Sequence, residues 1–297
     1  MRVVVALGGN ALLRRGERPD AAARARALAD AARAVAAVAR AHEVVVTHGN
    51  GPQVGLLALQ AEAAGQATPL DVLDAESEGL IGYPLERELR AALPGREVAA
   101  LLTQVLVDAA DPAFAAPTKP IGPLYGEAEA RRVAAARGWA VAADGPGWRR
   151  VVPSPEPRAL VEAHAIRLLV DAGVLLVCAG GGGIPVVDRD GALAGVEAVV
   201  DKDLAAELLA RTVDADALLL LTDVAAVERD FGTPAAEPIR EATVAGLRAA
   251  AWAPGSMGPK VEAACRFVEA TGGLAAIGAL EDAPAVLAGE RGTRVRA

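Results

Sequence analysis

A chain of 297 residues, 53% hydrophobic, is long enough to bury a large core in one big domain, or in a domain with a smaller lobe. A formal charge of −8 with no basic block argues against a nucleic-acid partner, and no apolar run approaches the roughly 18 residues of a membrane span. The apolar stretch after Met1 is too short for a signal peptide, so a cytoplasmic protein is expected.

In chain order, short β-branched runs alternate with Ala/Arg/Leu stretches of helical period. Residues 3–7 predict a first strand, ending in Gly8-Gly9-Asn10, with a long helix over 20–41 that Asp20 could cap. Residues 44–47 predict a second strand, ending in His48-Gly49-Asn50-Gly51-Pro52, with helices over about 53–64 and 71–93. Strands are expected at 98–103, 174–178, 218–221 and 275–277, and helices near 160–171, 204–213 and 261–270. Continuous apolar strands separated by helices indicate a mainly parallel sheet covered on both faces, an α/β three-layer sandwich.

Two segments break that rhythm. Residues 111–157 are rich in proline and hold one helical piece (127–137) and short runs at 139–142 and 149–152. They predict a small lobe or lid inserted in the main domain. Residues 184–187 and 192–196, joined through Arg189-Asp190-Gly191, predict a β-hairpin.

Three features carry chemistry. First, only three of the 30 Lys and Arg residues are lysine: Lys119, Lys202 and Lys260. Each sits in or just after a turn rich in Gly, Pro or Asp. They are either remnants of a drift to arginine or point charges kept for an anionic group such as a phosphoryl. Second, Gly8-Gly9-Asn10 and Gly49-Asn50-Gly51 end neighbouring predicted strands, where α/β sheets bind ligands. Each alone reads equally as a tight turn; together they suit an anion at free backbone N–H groups. Third, Gly180-Gly181-Gly182-Gly183 is either a flexible hinge or a loop with a task that needs close approach. Asp201 reads both as a helix N-cap and as a carboxylate that could hold ammonium groups. His48 can be accounted for by packing, His164 by a structural or surface place, and Glu76 and Glu78 by solvation of a helix face. Cys178 and Cys265 read as buried thiols. No P-loop or Gly-x-Gly-x-x-Gly motif occurs, and no zinc-type cluster.

Assembled in order, the motifs resemble the carbamate kinases of the amino acid kinase superfamily, essentially end to end. The resemblance rests on Val4-Val5-Ala6-Leu7-Gly8-Gly9-Asn10-Ala11, on Thr47-His48-Gly49-Asn50-Gly51-Pro52-Gln53-Val54-Gly55 and on Pro117-Thr118-Lys119-Pro120-Ile121-Gly122-Pro123. It continues through Gly147-Trp148-Arg149-Arg150-Val151-Val152-Pro153-Ser154-Pro155, Cys178-Ala179-Gly180-Gly181-Gly182-Gly183-Ile184-Pro185-Val186-Val187, Gly195-Val196-Glu197-Ala198-Val199-Val200-Asp201-Lys202-Asp203 and Ala253-Pro254-Gly255-Ser256-Met257-Gly258-Pro259-Lys260. The resemblance implies a homodimer with an open sheet of about eight strands. It also implies reversible phosphoryl transfer, ATP plus carbamate giving ADP plus carbamoyl phosphate, often run towards ATP in arginine or ureido catabolism. Mg²⁺ is expected on the nucleotide phosphates.

On this resemblance the backbone N–H groups of Gly8, Gly9 and Asn10 would hold the phosphoryl, and Gly49, Asn50 and Gly51 the carbamoyl end. Lys202 and Lys260 would neutralise developing charge, oriented by Asp201. Related kinases carry a lysine two residues before the first glycine pair, where this chain has Ala6; Lys119 would come down from the inserted lobe in its place. Thr222, Asp223 and Val224, with Ser256, Met257 and Lys260, are expected at the nucleotide. The basic loop 14–19 has no assigned task.

Overall fold

The protein is described by a computed structural model over residues 1–9, 21–66, 68–252 and 257–297. Asn10, the loop 14–19, Asp20 and Ser256 lie outside the described residues.

The strands are β1 (Arg2–Leu7), β2 (Glu43–His48), β3 (Val98–Leu101), β4 (Gln104–Val107), β5 (Lys119–Tyr125) and β6 (Ala140–Asp144). They continue with β7 (Gly147–Val152), β8 (Pro157–Leu160), β9 (Leu175–Cys178), β10 (Ile184–Arg189), β11 (Ala192–Gly195) and β12 (Ala217–Thr222). The last are β13 (Val227–Arg229), β14 (Glu237–Ile239), β15 (Glu241–Thr243), β16 (Leu274–Ala279) and β17 (Thr293–Arg296). The described helices are α1 (Ala21–Ala39), α2 (Gly51–Ala63), α3 (Leu70–Ala92), α4 (Glu127–Arg137) and α5 (Ala163–Asp171). They are followed by α6 (Lys202–Thr212), α7 (Val244–Arg248), α8 (Met257–Thr271) and α9 (Ala283–Ala288).

Eight strands form the main sheet in the order β15-β17-β16-β12-β1-β2-β9-β3, all parallel to their neighbours except β16 with β17. Its central strands are apolar on both faces because both faces are covered. Val4 and Ala6 of β1 turn to one core with Leu209 of α6 and Phe267 of α8. Val3, Val5 and Leu7 turn to the other, with Val35 of α1, Leu85 of α3 and Val286 of α9. The alternation of one strand between two cores is what makes the three-layer sandwich.

Register sets the site. Leu7 pairs with His48 on one side and with Leu221 on the other, so β1, β2 and β12 end level. The turns that follow them are therefore neighbours.

The expected strand over 98–103 is in fact two strands in different sheets, β3 in the main one and β4 in β11-β10-β4-β8. Thr103 makes the break. Its N–H donates to Glu78 Oε2 at 2.9 Å, and its hydroxyl donates to Leu101 O and accepts from Ala179 N–H, both at 3.0 Å. These bonds hold the chain as it leaves the main sheet. Likewise the helix expected from 160 begins only at Ala163, because 157–160 pair as β8. The hairpin β10–β11 forms, with positive φ at Asp190 and Gly191 as a two-residue primed turn needs. Within 111–157, β5, β7 and β6 make a separate antiparallel sheet carrying α4. Its strand β5 lies so close on α2 that a Cβ on Gly55 would sit 2.0 Å from Gly122 Cα.

The four glycines are no hinge. All are buried after β9, and Gly181, Gly182 and Gly183 have φ of 71°, 111° and 83°. A Cβ on Gly180 would meet the His48 ring at 2.4 Å. Burial, with Lys202 adding to it, depresses the His48 pKa from 6.5 to about 4 against the opposing bond to Gly49 O.

That depression has a sign. Between pH 6.5 and 4 the unfolded chain takes up a proton at His48 and the folded chain does not, so stability is full above this window and is lost as pH falls through it. The loss is on the order of 3 kcal/mol at about 1.4 kcal/mol per unit. The carboxyls of Asp74 and Glu78, raised chiefly by burial, act in the opposite sense. Urea unfolding of wild type and His48→Gln across this window isolates the histidine: the variant should lose less stability on acidification. Identical acid slopes would refute the assignment.

Candidate active site

The three turns at the level ends of β1, β2 and β12 open onto one cleft of about 200 Å³. Gly8, Gly9, Gly49, Asn50 and Gly51 line it, and so do Thr222 and Asp223. All three lysines reach it from separate elements. Lys119 starts β5, Lys202 is the first residue of α6, and Lys260 lies in the first turn of α8. Residues 141 positions apart thus converge on a space the size of a phosphate group and a small acid.

One carboxylate organises the cations, and it is not the one expected. Lys202 Nζ lies 2.5 Å from Asp203 Oδ1, and Lys260 Nζ lies 3.2 Å from Asp203 Oδ2. Asp201 does not orient this pair. Its Oδ1 caps α6, accepting from Asp203 N–H at 2.9 Å, and its Oδ2 takes Lys119 Nζ at 2.5 Å. Both readings of Asp201 made from the sequence are met, but its ammonium partner is the lysine of β5.

Burial alone would raise the Asp203 carboxyl; the two ammonium groups outweigh it and hold it well below the usual carboxylate range. Burial pulls Lys202 below the ordinary lysine value against the pull of Asp203. The three lysines of the cleft are balanced by three aspartates, Asp201, Asp203 and Asp223, in a protein of net charge −8.

The glycines approach closely, as the site requires. A Cβ on Gly49 would lie 3.0 Å from Gly9 N and 3.1 Å from Lys202 Cδ, so a larger residue would wedge the two turns apart. Two expected donors are, however, already used. Gly8 N–H donates to Leu221 O at 2.8 Å and Gly49 N–H to Leu7 O at 3.0 Å, prolonging the sheet ladder by one residue. Gly8 therefore shapes the cleft through its missing side chain rather than through its N–H.

Just after β12, the Thr222 hydroxyl donates to Asp223 Oδ1 at 3.1 Å, and Asp223 is exposed at the rim. Val224 and Met257 do not line this cleft; Met257 packs, partly buried, against the core. His164 is on the surface, and both cysteines are buried and unpaired.

Sequence reasoning missed Asp203 and a buried cluster on α3. Glu78 does not solvate a helix face: it is 5% exposed and accepts Thr103 N–H. Beside it, Asp74 Oδ1 accepts from Asn50 Nδ2 at 3.0 Å and Ser77 Oγ accepts from the same nitrogen at 2.7 Å. A signal existed. Residues 74, 77 and 78 fall in the same buried stripe of α3 as Leu70, Leu73, Ile81 and Leu85.

Among the described residues no cluster of three or more His, Cys, Asp or Glu could hold a metal ion, and no helix is long and apolar enough to cross a membrane.

Comparison with known proteins agrees with this geometry. The amino acid kinase family model matches residues 1–277. A carbamate kinase of Rhizobium meliloti is 52% identical over 299 residues, spanning 99% of this chain and 92% of that protein. The solved carbamate kinase of Giardia lamblia bound to citric acid superposes with a TM-score of 0.93 at 40% identity, over 99% of this chain and 98% of that one. The same enzyme bound to AMP-PNP gives a TM-score of 0.89, with the same coverage. The chain belongs to the amino acid kinase family and, within it, to the carbamate kinases.

Proposed function

We propose that this chain transfers a phosphoryl group reversibly between ATP and carbamate, giving ADP and carbamoyl phosphate. The observation that carries the reading is the Lys202–Asp203–Lys260 triad facing two glycine turns at the level ends of parallel strands. The likeness to the AMP-PNP-bound Giardia enzyme supports a nucleotide in the cleft. In the forward direction a carbamate oxygen attacks the terminal phosphorus, the bond to the bridging oxygen breaks, and ADP departs with the electron pair. Lys202 and Lys260 sit where the shifting negative charge must be balanced, and Asp203 fixes their positions. Gly9 and Asn10 would face the phosphoryl, and the Gly51 turn the carbamate. Thr222 and Asp223 would flank the nucleotide phosphates, with Val224, Ser256 and Met257 further towards the base.

Asp201 and Asp203 are committed to lysines and to a helix start, so Mg²⁺ would be carried by the phosphate oxygens. When bound there, it offsets phosphate charge. Use in arginine or ureido catabolism and a place in the cytoplasm complete the proposal; two buried, unpaired thiols suit a reducing compartment. The direct test is ATP formation from ADP and carbamoyl phosphate in a coupled assay. No ATP from well-folded protein would overturn the reading.

Lys260→Ala should lower turnover roughly 10²–10⁴-fold. Its effect on thermal stability should be the smaller one, since Asp203 keeps Lys202. Lys202→Ala should lose turnover and also stability, because a buried carboxylate loses its nearer partner. Near-normal turnover in Lys260→Ala would remove it from the chemistry.

Residues 111–157 are proposed as a lid, with Lys119 on its leading strand replacing the lysine absent at Ala6. Lys119 already spans to Asp201 at the cleft. Lys119→Arg should keep nucleotide affinity within a few-fold by calorimetry but lose most turnover, the planar fork being too wide beside two other cations. Normal turnover would show that any cation suffices.

A homodimer is proposed through α3 and the edge strand β3. Tyr83 and Leu102 are 63% and 54% exposed and flank a hollow between these elements, with Leu80 nearby on α3. Sedimentation should give twice the 30.1 kDa chain mass at micromolar concentration, and Tyr83→Glu with Leu102→Glu should give monomer. A wild-type monomer would count against it.

A further inference from the structure

Asn50 occupies the N-cap of α2, yet its side chain makes no capping bond. Asparagine is favoured at that position because its carboxamide oxygen accepts an N–H of the first turn. Here the carboxamide is turned away and buried, only 2% of the residue remaining exposed. Both protons of its nitrogen are spent on α3, one on Asp74 Oδ1 and one on Ser77 Oγ. Ser77 Oγ in turn donates to Asp74 O at 2.8 Å, which fixes the acceptor. On the far side, Gly181 closes in so tightly that a Cβ there would be 2.1 Å from Asn50 Nδ2. The amide is clamped between α3 and the glycine run.

The consequence lies at the start of α2. Gln53 N–H and Val54 N–H both bond to Asn50 O, and Pro52 has no N–H. Gly51 N–H has no partner among the described residues, and Gly51 and Pro52 line the cleft. With the carboxamide withdrawn, the N-terminus of α2 opens onto the cleft with one unclaimed donor and its positive dipole end. Asp74 and Ser77 are 1% and 0% exposed, and Asp74 Oδ2 has no hydrogen-bond partner, a cost that packing alone does not explain.

We propose that Asp74 and Ser77 are positioning residues for the small acid substrate: by holding both amide protons of Asn50 they keep its side chain off the α2 N-terminus and leave the Gly51 N–H for the carbamate or carbamoyl end. This rests on the proposed reaction. Neither residue touches substrate; both act through Asn50. Burial, with Asp71 and Glu197 adding to it, pushes the Asp74 carboxyl well above the ordinary range against the Asn50 bond.

The test compares steady-state constants for carbamoyl phosphate and for ADP in wild type, Asp74→Ala, Asp74→Asn and Ser77→Ala. Freed from α3, Asn50 should swing back to its capping position and obstruct the substrate. Asp74→Ala should raise KM for carbamoyl phosphate about 10–100-fold, with KM for ADP within about 2-fold and kcat changed less than KM. Asp74→Asn should restore most of that loss, since its side-chain oxygen can still accept from Asn50. Ser77→Ala should raise the same KM about 3–10-fold, and it keeps the test open should Asp74→Ala fail to fold. Equal losses for both substrates, or an unchanged KM for carbamoyl phosphate in the folded variants, would overturn the proposal. An inactive wild type would instead overturn the reaction on which it rests.

Discussion

The carboxylate of Asp203 is the constraint on which the site depends. Two ammonium groups cannot be brought together at the ends of two helices without an anion between them, because each repels the other and burial penalises both. Asp203 supplies that anion from the residue next to Lys202, on the first turn of the same helix, where the helix dipole also favours a negative charge. The pair is left with one surplus positive charge. An incoming phosphoryl completes a charge pattern already built and partly desolvated, so little reorganisation is needed when charge shifts in the transition state.

That arrangement requires α6 and α8 to be held in fixed positions, and the main sheet does this. Both helices pack on the core face that Val4, Ala6, Leu218 and Leu220 present, while the opposite face of the same strands is covered by α1, α3 and α9. Because β1, β2 and β12 end level, the two glycine turns and Thr222 form one rim. The ladder bonds at Gly8 and Gly49 carry sheet order one residue beyond the strands, which makes the rim stiff. Carbamate is too small to bring remote binding energy to its own alignment. A stiff rim with preset donors is the form of help such a substrate can use.

The architecture was legible in the sequence because it depends on period and punctuation. Continuous apolar runs at 3–7, 44–47 and 218–221 could only be strands buried on both faces, and Gly, Asn and Pro marked where they stop. The three lysines were legible through rarity. What could not be read was pairing. Asp201 and Asp203 are two residues apart, both near a helix start, and both reasonable partners for an ammonium. The sequence holds nothing to show that the capping geometry turns Asp201 towards its own helix and towards β5, leaving Asp203 to the other two lysines. The break at Thr103 was hidden for the same reason: it is made by a carboxylate 25 residues away, not by a local breaker.

The polar stripe of α3 shows a different limit. Helical period put Asp74, Ser77 and Glu78 on the core-facing side with Leu70, Leu73, Ile81, Leu85 and Leu89. A reading that assigns charged helix residues to solvent by type discards that information. Two buried carboxylates on an apolar stripe are costly, and a chain keeps such groups where their geometry is needed. Here the same helix anchors the Asn50 amide and the Thr103 break on its inner face, and shows Val72, Leu80 and Tyr83 on its outer face. One helix therefore carries both the groups that hold the Asn50 turn and the apolar residues left open on the surface.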